Sequence, residues 1–299
     1  MKICKKSSIT NLKKSCQFIY TAAMNNSAGK IKAVFFDIDG TLLKKDHSLS
    51  PEVKKAVKKL KDSGVLPVLA SGRSWESLKP LYKELEFEGP AICYNGAVII
   101  EGISGKILFE KNMDEDVAEA VTAKARSENR EFVAYRHSDL IYESVGPEVT
   151  AYKKRVGLEG RVVNFDSFEK YEFTKMIVFG EHEELQDLKK YFEAQFPADK
   201  FSSVFSDFRF LEFVASGVDK GVCLKEVCRI YGIDPAESAA LGDGWNDLSM
   251  LEAAGRAWVM GGADEKLKKL FPPSAAAPSA EEDGAAIVIE EILKVNSAQ

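Results

Sequence analysis

The stretch VFFDIDGTLL, residues 34–43, constrains this chain more than any other, because it places two acids, Asp37 and Asp39, at the end of a hydrophobic run. The preceding IKAVFF (31–36) is close to continuously apolar, as expected of a strand buried on both faces. Such a strand needs helices on either side, which points to a parallel sheet with helical crossovers. The next segments supply them. SPEVKKAVKKLKDSG sets Val53, Ala56, Val57 and Leu60 at helical spacing, with Ser50 as cap, Pro51 in the first turn and Gly64 as stop. VLPVLA (65–70) reads as a second buried strand, Glu76 to Leu85 as a second helix, and AICYNGAVII (91–100) as a third strand.

Beyond about residue 100 the pattern changes. EGISGKILFE reads as a hairpin arm with a glycine turn, DEDVAEAVTAKARSEN as a helix, and FVAYRHSDLIYES as alternating strand segments. KMIVFG (175–180), the helix EELQDLKKYFEAQF, and the strands FSSVFSD and FRFLEFVA follow. The first pattern then resumes with the helix DKGVCLKEVCRIYG, capped by Asp219 and stopped by Gly232. Strands are expected at SAALG (238–242), RAWVM (256–260) and AAIVIE (285–290), with helices at 246–254 and 264–270. The fold class expected is α/β. A doubly wound, Rossmann-like parallel-sheet core at 30–99 and 215–299 carries an inserted α+β domain at 100–214.

Residues 1–29 hold many lysines and no acid, and read as a disordered extension or an upstream start. No apolar stretch approaches the ~20 residues needed to cross a bilayer. The 5 cysteines are odd in number with no C-x-x-C spacing, which argues against a disulfide framework or thiolate zinc site and for a reducing, cytoplasmic setting. A formal net charge of -5 argues against a dedicated nucleic-acid binder. With 3 histidines and no H-E-x-x-H, any metal is expected on oxygen ligands.

In open α/β sheets the ligand crevice lies beyond the carboxyl ends of the strands. Asp37 and Asp39 follow the first strand, Ser71 the second, and Asp243 and Asp247 the strand SAALG, while Lys220 opens the helix after the insert. A lone D-x-D is usually turn chemistry. Two acidic turns at one sheet edge are different, because clustered carboxylates repel unless a cation compensates. Mg²⁺, a hard ion that prefers oxygen, is the expected ion, and the calcium-loop pattern D-x-[DN]-x-[DN]-G-x5-E is absent. GDGWND lacks the third glycine of a dinucleotide fingerprint, and no P-loop or G-x-S-x-G elbow occurs.

As an ordered set, Asp37-Ile-Asp39-Gly-Thr, Ser71-Gly-Arg73, Lys220 and Gly242-Asp243-Gly-Trp-Asn246-Asp247 resemble the four motifs of the haloacid dehalogenase-like superfamily. The insert, with Asn95-Gly96-Ala97 and VASGVDKG, resembles the Cof-type subclass with an α/β cap (subclass IIB), and the likeness covers roughly residues 30–295. It implies a phosphatase in which Asp37 is the nucleophile that forms an aspartyl-phosphate and Asp39 the general acid and base. It also implies that Asp37, the backbone carbonyl of Asp39, and Asp243 hold Mg²⁺, with Asp247 in the outer sphere, and that Ser71 and Lys220 take the phosphoryl oxygens. Gly40, Gly72, Arg73, Asn95 and Asn246 are implied as substrate contacts, and the substrate as a small phosphorylated metabolite such as a sugar phosphate.

Other readings stay open at this level. Ser71 could simply cap a helix, Asn246 could do the same, and Lys220 could be a solvated lysine. Strand alternation points i and i+2 the same way, so this spacing is expected to set Asp37 and Asp39 at one phosphate. Tyr135, Arg136, His137, Phe208 and Arg209 are candidate specificity residues of the cap. A phosphosugar mutase and a non-catalytic phosphometabolite sensor are the alternatives to a phosphatase. A monomer or a homodimer is expected, with no nucleic-acid or membrane partner.

Overall fold

The computed structural model describes residues 29–136 and 139–298. The expected N-terminal extension, Cys4, Cys16 and His137 lie outside them.

The chain starts with β1 (Ala33–Phe36), α1 (Pro51–Asp62), β2 (Leu66–Ala70), α2 (Trp75–Glu84), β3 (Pro90–Cys93), β4 (Val98–Glu101) and β5 (Ile107–Glu110). A second group follows: α3 (Glu115–Ser127), β6 (Phe132–Arg136), β7 (Asp139–Tyr142), α4 (Pro147–Val156), β8 (Arg161–Val162), β9 (Lys175–Phe179), α5 (His182–Gln195), β10 (Phe201–Asp207) and β11 (Phe210–Ala215). The chain then returns with α6 (Lys220–Tyr231), β12 (Ser238–Gly242), α7 (Leu248–Ala253), β13 (Arg256–Val259), α8 (Glu265–Lys268) and α9 (Gly284–Ser297). Among the described residues the strands form two sheets, in orders β13-β12-β1-β2-β3-β4-β5 and β10-β11-β9-β6-β7-β8.

In the first sheet β13, β12, β1, β2 and β3 run parallel. β1 lies in the middle and is buried along its length. Val34 and Phe36 pack with α1 and α9, whereas Ala33 and Phe35 pack with α6 and α7. An uninterrupted apolar run is what a strand covered on both faces requires. The capping chemistry read from sequence is present: Ser50 Oγ accepts from the Val53 amide, and Asp219 Oδ1 from the Val222 amide. Gly232 closes α6 in the left-handed region.

Three sequence expectations are corrected. AIVIE in 285–290 is not a strand but part of the helix α9, because Ala285, Ala286, Val288, Ile289 and Ile292 are buried at helical spacing while Ile287 is exposed. AICYNGAVII is not one strand. Tyr94, Asn95 and Gly96 all take positive φ (52°, 55° and 115°), which reverses the chain, so β4 runs antiparallel to β3. The β4–β5 hairpin belongs to the first sheet, so the expected boundary near residue 100 falls inside that sheet, and the chain leaves it after Glu110. The helix α4 was not expected: it buries little beyond Val149 and Tyr152, too thin a stripe to read, although Pro147 opens it and Gly157 closes it.

The second sheet is antiparallel except for the β7–β8 pair. One face packs on α3 and α5 through Ala134, Met176, Val178, Leu211 and Phe213. Its other face, with Val133, Tyr135, Ile177 and Phe179, joins the apolar cluster that extends from the first sheet. No helix among the described residues is long and apolar enough to cross a membrane.

Candidate active site

Register brings the acidic turns together. Phe36 pairs with Leu69 on one side and Leu241 on the other, so the ends of β2, β1 and β12 lie abreast. The Asp37 amide donates to Leu241 O at 3.0 Å, which ties the turn after β1 to the end of β12. Ser71 is anchored to the end of β3 by its amide on Ile92 O, and the Asn95 amide returns to Ser71 O.

Around this edge Asp37, Asp243 and Asp247 each present an oxygen within 4.8 Å of the others'. Lys220 enters from the first turn of α6 and is wholly buried. Its Nζ lies 2.6 Å from Asp37 Oδ1 and 2.5 Å from Asp247 Oδ1, so it is not a solvated lysine. The other Asp247 oxygen accepts from the amides of Asp243 and Gly244 at 3.0 and 2.8 Å. Asp247 thus has both oxygens engaged, whereas Asp37 and Asp243 keep capacity for a further partner. Thr41 Oγ1 donates to Asp243 at 3.4 Å.

Three carboxylates around one ammonium leave an excess of negative charge away from water. Burial pushes the Asp37 carboxyl up to about 7, against the pull of Lys220 and with added repulsion from Asp247 and Asp243. Burial, then repulsion from Asp247, pushes Asp243 up to about 6, although Lys220 and Thr41 oppose this. Burial disfavours the Lys220 ammonium, but Asp37 and Asp247 outweigh it and hold the lysine above its ordinary value. The all-oxygen donor set and the uncompensated charge fit a hard divalent cation. Gly40 is packed against this cluster: at φ +84°, a Cβ there would stand 2.3 Å from Asp243 Oδ2.

Asp39 is placed differently. β1 ends at Phe36, and Ile38 O accepts the amides of Thr41, Leu42 and Leu43, so strand alternation does not extend through the acids. The Asp39 carboxylate is half-exposed and makes two hydrogen bonds with Arg73, one of them from Nε to Oδ2 at 2.8 Å. His47 Nδ1 lies 3.1 Å from Asp39 Oδ1. The two acids therefore contact different cations, Lys220 and Arg73.

Ser71 is buried, and its Oγ accepts from the Arg73 amide. It does not cap α2, a role taken by Ser74. Gly72 packs on the Asn95 amide group, and Asn246 Nδ2 donates to Asn95 Oδ1 at 3.0 Å, so these three stand together. Nor does the Asn246 side chain cap α7; it reaches across to Asn95 instead.

A cavity of about 560 Å³ opens between the sheets. The first-sheet side contributes Asp39, His47, Arg73 and Ser77, and the second-sheet side Tyr135, Tyr152, Arg155, Lys175, Phe210 and Glu212. Of the candidate specificity residues that are described, Tyr135 lines it and Arg136, Phe208 and Arg209 do not. Arg136 pairs with Glu172, Arg209 with Glu148 and Glu181, and Phe208 stacks on His182 with its ring exposed. Lys175 and Glu212 were not singled out from sequence. Their signal is a charged residue at an inward position of the otherwise apolar strands KMIVF and FLEFVA.

Comparison with known proteins decides the family. The model of the haloacid dehalogenase-like hydrolases matches residues 34–289. The chain belongs to the haloacid dehalogenase-like hydrolases. An HMP-PP phosphatase of Serratia proteamaculans is 29% identical over 238 residues, 79% of this chain and 86% of that protein. An HMP-PP phosphatase of Yersinia enterocolitica is 28% identical over 258 residues, 86% of this chain and 94% of that one. The crystal structure of a haloacid dehalogenase-like hydrolase from Bacteroides thetaiotaomicron superposes with a TM-score of 0.80 at 29% identity, covering 88% of this chain and 100% of that one. The α/β fold expected from sequence is thus the fold of this hydrolase family, and the acidic cluster at the carboxyl edge of its first sheet could hold a metal ion.

Proposed function

We propose that this hydrolase is a Mg²⁺-dependent phosphatase of a small phosphomonoester that works through an aspartyl-phosphate on Asp37. The observation that carries this reading is the buried Lys220, whose ammonium bridges Asp37 and Asp247 at one edge of the carboxylate cluster. A carboxylate whose one oxygen is fixed by a lysine offers its other oxygen in a set direction, which is what in-line attack needs.

In this reading an oxygen of Asp37 bonds to phosphorus, the bond from phosphorus to the leaving alcohol breaks, and Asp39 gives that alcohol a proton. Water then attacks the acyl phosphate, Asp39 takes its proton, and Asp37 is released with inorganic phosphate. Asp39 is paired with Arg73, so proton transfer requires that pair to loosen, and both residues line the cavity where the alcohol would sit. Asp37, Asp243 and the backbone carbonyl of Asp39 would hold Mg²⁺, with Asp247 orienting Lys220 and the turn 243–244. Bound there, the ion would neutralise charge on the phosphoryl oxygens. Ser71 and Lys220 would contact those oxygens, and Gly40, Gly72, Arg73, Asn95 and Asn246 the substrate around them.

Phosphate release from a panel of phosphometabolites with Mg²⁺, HMP-PP among them because relatives carry that name, tests the reading. Activity on at least one compound that vanishes in Asp37→Asn supports it, and turnover retained in that variant ends it.

A further inference from the structure

Lys175 and Glu212 take no part in the chemistry above, yet they are buried in the wall of the same cavity. Glu212 stands opposite Ile177 in the β9–β11 pairing, and Lys175 is two residues from Ile177. Both side chains thus share the sheet face that carries Ile177 and Tyr135 toward the first sheet. Lys175 Nζ lies 3.3 Å from Glu212 Oε1. It also stands over two rings, Tyr135 at 5.2 Å and Tyr94 at 5.6 Å from the centroids. Among the described residues one of its three donors is used, and Glu212 Oε2 has no hydrogen-bond partner.

Stability does not account for this pair. Removing two charges from water largely cancels their attraction, and an apolar pair on this face would hold the sheet as well or better. Neighbouring Val133, Ile177 and Phe179 show that the face is otherwise built of apolar side chains. A charged pair kept at the wall of a cavity, each member with unused hydrogen-bonding capacity, is suited to a ligand that both accepts and donates. Beside it the Tyr135 and Tyr152 hydroxyls are 2.9 Å apart, and Phe210 packs edge-on to Tyr152. Burial pushes both phenols up, so they remain O–H groups.

We propose that Lys175 and Glu212 select the leaving group of the substrate: a neutral polyol whose adjacent hydroxyls accept from the Lys175 ammonium and donate to the free oxygen of Glu212. This rests on the cavity being the seat of the leaving group in the proposed phosphatase. A leaving group with a carboxylate at that point would face Glu212 in a water-poor site, with Lys175 already shared, and would be rejected.

The test compares Glu212→Gln and the double variant Lys175→Gln/Glu212→Gln with the parent. The double variant keeps hydrogen-bonding groups without leaving an unpaired buried charge. Each is assayed with Mg²⁺ on hexose, pentose and hexitol monophosphates, on phosphoglycerate, and on p-nitrophenyl phosphate, which has no hydroxyls to read. The ratio of kcat/KM for the best polyol phosphate over p-nitrophenyl phosphate is expected to fall roughly 10- to 100-fold in both variants, the size of a lost charged hydrogen bond. The ratio of polyol phosphate over phosphoglycerate should fall with it. A ratio unchanged within about two-fold overturns the proposal, as does a parent enzyme that cleaves p-nitrophenyl phosphate but no polyol phosphate. Calorimetric binding of the same polyol phosphates to Asp37→Asn, with and without Glu212→Gln, separates the two readings. Binding that weakens about ten-fold supports the selecting pair even if no compound is hydrolysed, and binding untouched by Glu212→Gln overturns it whatever the hydrolysis assay gives.

Discussion

The Lys220 ammonium and the Asp37 carboxylate are 2.6 Å apart, joined across 183 residues of sequence and nearly without solvent contact. Neither residue is at home there alone: a buried lysine needs a carboxylate and a buried carboxylate a cation. Replacing Lys220 by Met would leave Asp37 and Asp247 facing each other unpaired. Breaking such a pair costs on the order of 3 to 5 kcal/mol. A fall in Tm of roughly 10 °C or more is expected, together with loss of phosphate release. A Lys220→Met protein as stable as the parent would show that the ion pair is not holding this edge together.

Asp37→Asn should separate chemistry from stability. The amide keeps the shape and one acceptor for Lys220 but is no nucleophile. Phosphate release should drop at least about 10³-fold, the scale of losing a nucleophile, while Tm stays within about 5 °C. Equal collapse of both would mean that Asp37 is structural.

The raised carboxyls give stability a pH dependence whose sign can be worked out. Asp37, at about 7, and Asp243, at about 6, hold protons more tightly in the folded than in the unfolded chain, where a carboxyl titrates near 3.9. Folded protein therefore binds more protons between about pH 4 and 7, and stability falls as pH rises through that window. Thermal melts in EDTA should show Tm declining from pH 5 to pH 8. Added Mg²⁺ should raise Tm most at the alkaline end, where the carboxylates are free to bind it. A flat profile without metal, or a Mg²⁺ effect largest at pH 5, would contradict the charge distribution described here.

Gly40→Ala meets two obstacles at once, a φ of +84° and a Cβ placed 2.3 Å from Asp243 Oδ2. Backbone strain of this kind costs on the order of 1 to 3 kcal/mol, and the carboxylate must move. The Mg²⁺ concentration for half-maximal activity is expected to rise several-fold, measured by titrating the metal at fixed substrate. An unshifted titration would mean that Asp243 does not need its present position.

Arg73→Leu tests the ion pair with Asp39, which is partly solvated on both sides. Exposed pairs contribute about 1 kcal/mol or less, so Tm should change by no more than about 3 °C. If Arg73 positions Asp39 and the substrate, kcat/KM should still fall at least about ten-fold. A loss of stability without a loss of kcat/KM would assign Arg73 to the fold.

Much of this molecule could be read locally, because its signals are local. The apolar run ending at Phe36, the spacing Val53, Ala56, Val57 and Leu60, and the caps Ser50 and Asp219 each depend on neighbours a few residues away. The acids at 37, 39, 243 and 247 were visible for the same reason: each sits in a turn directly after a buried strand, or close behind it. Where local pattern is ambiguous, sequence failed. AIVIE suits a strand or a buried helix equally, and its packing against α1 decides for the helix. In YNG, three successive residues at positive φ reverse the chain, although two of them are not glycine.

By itself, then, the sequence determined the alternation of strands and helices wherever the local pattern was unambiguous, and which residues of the acidic turns could do chemistry. Only the tertiary structure decided how those residues share cations: Lys220 between Asp37 and Asp247, Arg73 on Asp39, and Lys175 beside Glu212 in a wall that no motif marks. The reason is physical. Propensity and capping act over a few residues, whereas pairing of charges depends on distance and burial, and these exist only once parallel register has set the ends of β2, β1 and β12 side by side.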